Sequence, residues 1–167
     1  QYAGMSFVDF AHLKERNIKN GILDYNRQKT GTPMRLEILD TAELMRKELM
    51  GDKKPASGYL FPFLSGTKTG YEAYLEYNAA LSRFNRNLKA LKKAAGIASD
   101  VTSYTIRHSF AMALKEQNVP IEMISELLGH KSIKTTQIYL RSFSLEKMTE
   151  VNSTCFGCVY NYVSKVG

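Results

Sequence analysis

The sequence predicts a mostly α-helical domain with a small antiparallel β-sheet, an α+β fold. Three observations carry this. Residues 71–95 hold a long helical apolar pattern, residues 22–39 hold a hairpin pattern, and residues 102–140 hold short helical patterns punctuated by glycine and proline. With 167 residues, the chain is long enough for one domain with a real core.

Taken in order, residues 4–14 carry apolar side chains at helical spacing (Phe7, Phe10, Leu13), and residues 17–21 break that helix. Residues 22–28 and 34–39 read as strands joined by a turn at 29–33, Lys-Thr-Gly-Thr-Pro. Asp40 or Thr41 can cap the next helix, which ends near Gly51. Residues 52–58 are a loop, residues 59–64 a short third strand kept to an edge by Pro62, and residues 65–70 another loop. Along 71–95, Tyr74, Tyr77, Leu81, Phe84, Leu88 and Leu91 build one apolar face, and Arg83, Arg86, Lys89 and Lys93 lie largely off it. Gly96 ends that helix. Thr102 or Ser103 starts the next, which runs to Gln117. Pro120 suits the first turn of a helix ending at Gly129, and Lys131-Ser132 lead into a helix carrying Thr135, Thr136 and Tyr139. The tail from Ser144 begins as helix and turns β-prone, with apolar content suited to docking on this domain or a neighbour.

The formal charge is +7 and the pI about 9.4, which points to a polyanionic partner, most simply nucleic acid. The plainer alternative is a basic, solvated surface. No run of about 18 apolar residues predicts a membrane span, and no signal peptide is visible. The chain opens at Gln1 directly into an apolar pattern, as expected of a fragment whose upstream part has been removed. Cys155 and Cys158 form a single CxxC without the further ligands of a zinc site, and read as free thiols of a cytosolic protein. Asp9, Asp24, Asp40 and Asp100 are scattered and form no two-metal cluster. No metal and no other cofactor is expected.

Cleaving a phosphodiester without a metal requires a nucleophile, cationic donors, a proton donor for the leaving oxygen and fixed geometry. Tyr104 and Arg107 are three apart on a predicted helix and share a face, and the guanidinium can fork two phosphate oxygens. His130 follows Gly129, just past a helix end, and can hydrogen-bond phosphate or help move a proton. Tyr139 is a candidate nucleophile whose phenol, with a pKa near 10, needs help; a cationic site would stabilise its phenolate. Lys29, at the hairpin tip, can reach a groove or protonate a leaving oxygen. Taken singly, each residue has a structural explanation as good as the functional one: a surface arginine, a helix-capping histidine, a core tyrosine, a solvated lysine.

In combination and order they carry more. Residues 102–111 (TSYTIRHSFA), 124–130 (ISELLGH) and 131–139 (KSIKTTQIY) closely resemble the tyrosine recombinases, or phage-type integrases. Residues 26–31 (NRQKTG) and 4–13 (GMSFVDFAHL) are similar to the family's earlier blocks.

The resemblance implies that residues 1–167 are a tyrosine recombinase catalytic domain without its upstream DNA-binding domain. Tyr139 would form a 3′-phosphotyrosine, Arg107 would hold the scissile phosphate, His130 would hydrogen-bond it, and Lys29 would be the general acid. Tyr104 replaces the usual histidine ahead of Arg107. Ser6 stands where the family's first arginine is expected, and losing that guanidinium would cost about 3 kcal/mol or more of transition-state stabilisation. Arg27, Arg35 and a residue upstream of Gln1 are the candidates to replace it. Arg27, Arg35, Arg83, Arg86, Lys131 and Lys134 are the expected DNA contacts, and His108 is expected to pack or hydrogen-bond.

The implied partner is double-stranded DNA, worked on by a homo-tetramer on synapsed duplexes, with a monomer as the alternative when free. The implied setting is a bacterial mobile element, cytoplasmic and nucleoid-associated. Two other readings stand beside it: a catalytically weakened DNA-binding module of the same fold, and a type IB topoisomerase, which the 130–139 block resembles less.

Overall fold

The computed structural model describes residues 2–51, 56–140 and 148–149. Its elements run α1 (Phe7–His12), a 3₁₀ turn, β1 (Ile18–Lys19), β2 (Ile22–Asn26), β3 (Pro33–Glu37), α2 (Asp40–Met50), α3 (Gly70–Ala94), α4 (Ser103–Glu116), α5 (Ile121–Leu127) and α6 (Ile133–Tyr139). The expected class, mostly α with a small antiparallel sheet, is the one observed. None of these helices is long and apolar enough to cross a membrane.

The sheet is ordered β1-β2-β3, antiparallel throughout. Leu23 pairs with Leu36 and Tyr25 with Met34, so the alternation along β2 and β3 turns one apolar face inward. The hairpin is closed by the Arg27 N–H on the Thr32 carbonyl at 2.9 Å and the Gly31 N–H on the Arg27 carbonyl at 2.8 Å. Gly31 sits at φ +68°, which the tight return to β3 requires and a glycine adopts without strain.

Several sequence expectations are corrected in detail. The first helix is confined to Phe7–His12, because the chain turns at Ala3 and Gly4 with positive φ before it and is extended at Leu13 after it. The break at 17–21 contains β1, which returns to β2 through Asn20 and Gly21. The two hairpin strands end two residues early, at Asn26 and Glu37. Leu39, not Asp40 or Thr41, is the N-cap of α2, with no side-chain cap bond.

The third strand is β1, not 59–64. Tyr59 makes one isolated bridge to Lys14 and no ladder continues it, while Tyr59, Leu60 and Phe61 are all buried. On α3, Tyr77, Leu81 and Phe84 pack inward, whereas Tyr74 and Leu91 are exposed because the helix overhangs the core at both ends. Pro120 is the N-cap of α5 rather than within its first turn, and that helix ends at Leu127. Both cysteines and most of the tail lie outside the described residues.

Three apolar clusters result. Leu13, Leu23, Tyr25, Met34, Met50, Leu60 and Phe61 fill the sheet face. Phe7, Ala11, Tyr59, Leu64 and Ala80 join α1 to α3, and Phe10 packs on both clusters. Ala111, Ile124, Leu128 and Leu140 hold α4, α5 and the end of α6 together. The helical unit meets the sheet along a seam that runs past Gly4, Gly129 and the hairpin base.

Gly129 is the tightest point of that seam. It has φ +60°, and a Cβ there would come within 2.5 Å of both Arg27 Cδ and Met34 Sδ. Gly129→Ala is therefore expected to lower stability by about 2–4 kcal/mol, combining left-handed strain with overpacking. Chemical denaturation of the two proteins measures it, with the midpoint falling and the slope unchanged.

Candidate active site

The end of α5 organises the site. The His130 N–H bonds the Ser125 carbonyl at 3.0 Å and the Gly129 N–H bonds the Glu126 carbonyl at 2.8 Å, a Schellman closure with Gly129 in the left-handed position. This leaves the carbonyls of Leu128 and Gly129 free to accept elsewhere. Arg107 Nη2 donates to Leu128 O and its Nη1 to Gly4 O at 2.8 Å. Arg27 Nη1 donates to Gly129 O at 2.9 Å. Two guanidiniums thus meet the negative end of one helix.

Both arginines are about 93% removed from solvent, at 7% relative exposure. Burial, with the charge of Arg27 beside it, pulls the Arg107 pKa down from its ordinary value. Asp9, 2% exposed, partners Arg27: its Oδ2 lies 3.4 Å from Arg27 Nε and accepts from Ser6 Oγ, and its Oδ1 accepts the Gln28 N–H at 2.7 Å. Ser6 and Arg27 are therefore joined through one carboxylate oxygen. Of the cations proposed to compensate for Ser6, Arg27 is in place. Arg35 is exposed on β3, in a groove with Asp24, Met123 and Glu126, and makes no hydrogen bond or ion pair among the described residues.

Tyr139, at the end of α6, is enclosed by three rings. Tyr104 lies at 5.9 Å between centroids, His108 at 5.2 Å and His130 at 5.8 Å, each nearly perpendicular. Its hydroxyl is buried without a hydrogen-bond partner among the described residues. Burial, helped by the neighbouring Tyr104, pushes the phenol up to about 12 against the pull of Arg107. The expectation that a cationic site would favour the phenolate is corrected for this DNA-free state, because desolvation outweighs the single guanidinium.

His130 Nδ1 lies 2.9 Å from Thr136 Oγ1, on a fully buried threonine of α6. Burial and the charges of Arg107 and Arg27 lower its pKa to about 4, so the imidazole is neutral at physiological pH. Tyr104 is exposed at 63%. Lys29 is exposed in the hairpin turn, two residues beyond Arg27, and makes no hydrogen bond or ion pair among the described residues. Arg83 and Arg86 are exposed on α3, and Lys131 and Lys134 at the start of α6. Among the described residues no three His, Cys, Asp or Glu side chains group to hold a metal ion.

Sequence reasoning missed Asp9, Thr136 and the Gly4 carbonyl. Asp9 stood in the recognised 4–13 block, but only its partners distinguish it from a surface acid. His108, expected to pack or hydrogen-bond, packs on Tyr139.

A model described as the phage integrase family matches residues 3–146, and the chain belongs to that family. The tyrosine recombinase XerD of Lacticaseibacillus casei is 52% identical over 54 residues, which is 32% of this chain and 18% of that protein. The crystal structure of XerA recombinase superposes with a TM-score of 0.67 at 23% identity, covering 92% of this chain and 54% of that one. The XerH recombinase bound to a palindromic difH substrate in a post-cleavage complex gives a TM-score of 0.67 at 20% identity, covering 91% and 42%. These structures share the fold. The chain spans about half of the solved recombinases it matches, and its aligned part a smaller share of the curated relative.

The depressed His130 pKa has a sign. Because the folded value of about 4 lies below the ordinary value near 6.5, protons bind the unfolded state first. The stability held above pH ~6.5 is lost as pH falls toward ~4. Between pH 7 and pH 4 the melting temperature is expected to drop further for the parent than for His130→Gln, as scanning calorimetry of both would read.

Proposed function

We propose that this chain is the catalytic domain of a tyrosine-type site-specific DNA recombinase, cutting and rejoining double-stranded DNA through a 3′-phosphotyrosine at Tyr139. The observation that carries the reading is the seam itself. Arg107, His130 and Tyr139, distant in sequence, converge there, and Arg27 adds a second guanidinium beside the serine that stands at the family's first arginine.

In this scheme Arg27 and Arg107 take the non-bridging oxygens of the scissile phosphate with the donors they do not spend on carbonyls. Both are held before DNA arrives, so the charge that develops on the phosphorane meets donors that need no reorganisation. His130 donates its Nε2–H to the same phosphate. That tautomer requires the Thr136 hydroxyl to donate to Nδ1, the 2.9 Å contact. Tyr139 attacks phosphorus, and the 5′ oxygen leaves with a proton from Lys29, whose free side chain suits a mobile acid. The phosphotyrosine conserves the energy of the broken phosphodiester, so a 5′ hydroxyl can reverse the step without ATP.

Arg83, Arg86, Lys131 and Lys134 supply solvent-facing charge for DNA phosphates, consistent with the +7 balance. XerH, a relative in fold, is solved on its DNA substrate. The working assembly is a homo-tetramer on two synapsed duplexes, acting for a mobile element in the bacterial cytoplasm at the nucleoid.

A nicked duplex, chosen from a randomised pool by covalent capture, tests the scheme on denaturing gels. The parent is expected to give a covalent protein–DNA band. Tyr139→Phe and Arg107→Ala are expected to give none, and Tyr139→Phe should bind DNA as the parent does; lost affinity with an intact fold would count against the scheme. Arg27→Lys keeps the charge and loses the fork, and is expected to slow adduct formation at least about 100-fold, whereas Arg35→Ala stays within about threefold. Thr136→Val, nearly isosteric, is expected to slow it about tenfold through loss of the imidazole tautomer.

A further inference from the structure

Two facts leave a gap in the scheme above. The Tyr139 phenol is buried, has no well-formed hydrogen bond among the described residues beyond an interaction with the Tyr104 side chain that favours its protonated form, and holds its proton tightly. An arriving phosphate brings negative charge, which opposes ionisation further. The proton must therefore pass to an acceptor as the oxygen attacks. His130 is poorly suited, since Nδ1 is committed to Thr136 and its Nε2 is needed as a donor toward phosphate. Tyr104, a phenol itself, brings a hydroxyl and no basic nitrogen.

We propose that His108 is the proton acceptor and positioning residue for Tyr139, supplying the imidazole that the family's pattern puts at position 104. The inference rests on the reading of Tyr139 as nucleophile. His108 and Tyr104 are four apart on α4 and so stand on one helical face, and both rings lie against the phenol. Of the three rings around Tyr139, His108 is the nearest by centroid, at 5.2 Å. It is half-buried, and neither ring nitrogen has a hydrogen-bond partner among the described residues. A rotation of the His108 ring about its Cβ–Cγ bond changes the approach of its nitrogens to the phenol oxygen without moving a helix.

The step balances. The Tyr139 O–H bond breaks and its proton goes to an imidazole nitrogen of His108. The Tyr139 oxygen–phosphorus bond forms, the bond from phosphorus to the 5′ oxygen breaks, and that oxygen takes the Lys29 proton. Religation returns both protons.

The groups that could compete for the titration are few. Tyr139 faces His108 from α6, and His130 from the turn before α6 and Tyr104 and Arg107 from α4 surround the same phenol. Glu122 and Glu126 of α5 and Arg83 and Arg86 of α3 are exposed, and none bonds to His108.

The experiment follows single-turnover adduct formation on the captured nicked duplex across pH, for the parent, His108→Gln and His108→Asn. It is repeated with sulfur replacing the bridging 5′ oxygen, which leaves without a proton. The parent rate should fall along an acid limb of its pH profile. Both variants should lose that limb and slow about 100-fold near neutral pH, with unchanged melting temperature and DNA affinity. Sulfur should rescue Lys29→Ala and not His108→Gln.

A retained limb, a rate near that of the parent, or sulfur rescue of His108→Gln overturns the proposal. If neither variant folds, the parent alone decides, since a profile without the acid limb overturns it. Failure of the parent to form any Tyr139-dependent adduct would instead defeat the nucleophile reading.

Discussion

Two adjacent carbonyls at the end of α5, those of Leu128 and Gly129, hold the rest of this site in place. The Schellman closure uses up the carbonyls of Ser125 and Glu126, and those of Leu128 and Gly129 remain to accept from outside the helix. Each takes a buried guanidinium, Arg107 from α4 and Arg27 from the hairpin. A buried guanidinium without partners would be prohibitively costly, so these bonds are a condition of the fold as well as of the chemistry. They also dock the helical unit onto the sheet, because Arg107 reaches on to Gly4 and Arg27 to Asp9.

Replacement of the family's first arginine by Ser6 looks different in this light. Ser6 and Arg27 share one oxygen of Asp9, so the carboxylate is common to both positions. In the proposed scheme a guanidinium entering from the hairpin would fill the neighbourhood of one from the helix N-terminus, since a phosphate needs charge and donor geometry, not a particular point of attachment. Gly129 is the accommodation: any side chain there would meet the Arg27 stem.

The surroundings of Tyr139 follow another logic. Tyr139 is held by ring packing on three sides, which fixes its direction and excludes water, at the cost of a phenol that gives up its proton reluctantly. Desolvation and orientation come from the same contacts and cannot be separated. A site built this way needs both a proton acceptor close by and an opening for phosphate.

The sequence by itself determined the class of fold, the hairpin, the helices between residues 71 and 140, and Arg107, His130 and Tyr139 as the candidates for the site. These are local matters: apolar periodicity, turn residues and a fixed order of side chains persist whatever the chain packs against. It also narrowed the missing cation to Arg27, Arg35 or a residue further upstream. Choosing between Arg27 and Arg35 was beyond it, because the two lie on either side of the same turn and only the docking of α5 decides which is covered. Nor could it place residues 59–64, whose three consecutive buried side chains plug a space made by distant elements, or separate the inward from the overhanging parts of α3. The burial of Asp9, the raised phenol of Tyr139 and the contact of His108 with it all arise between segments far apart in the chain. Burial and electrostatics are properties of what surrounds a residue, and that is set only when the helical unit closes on the sheet.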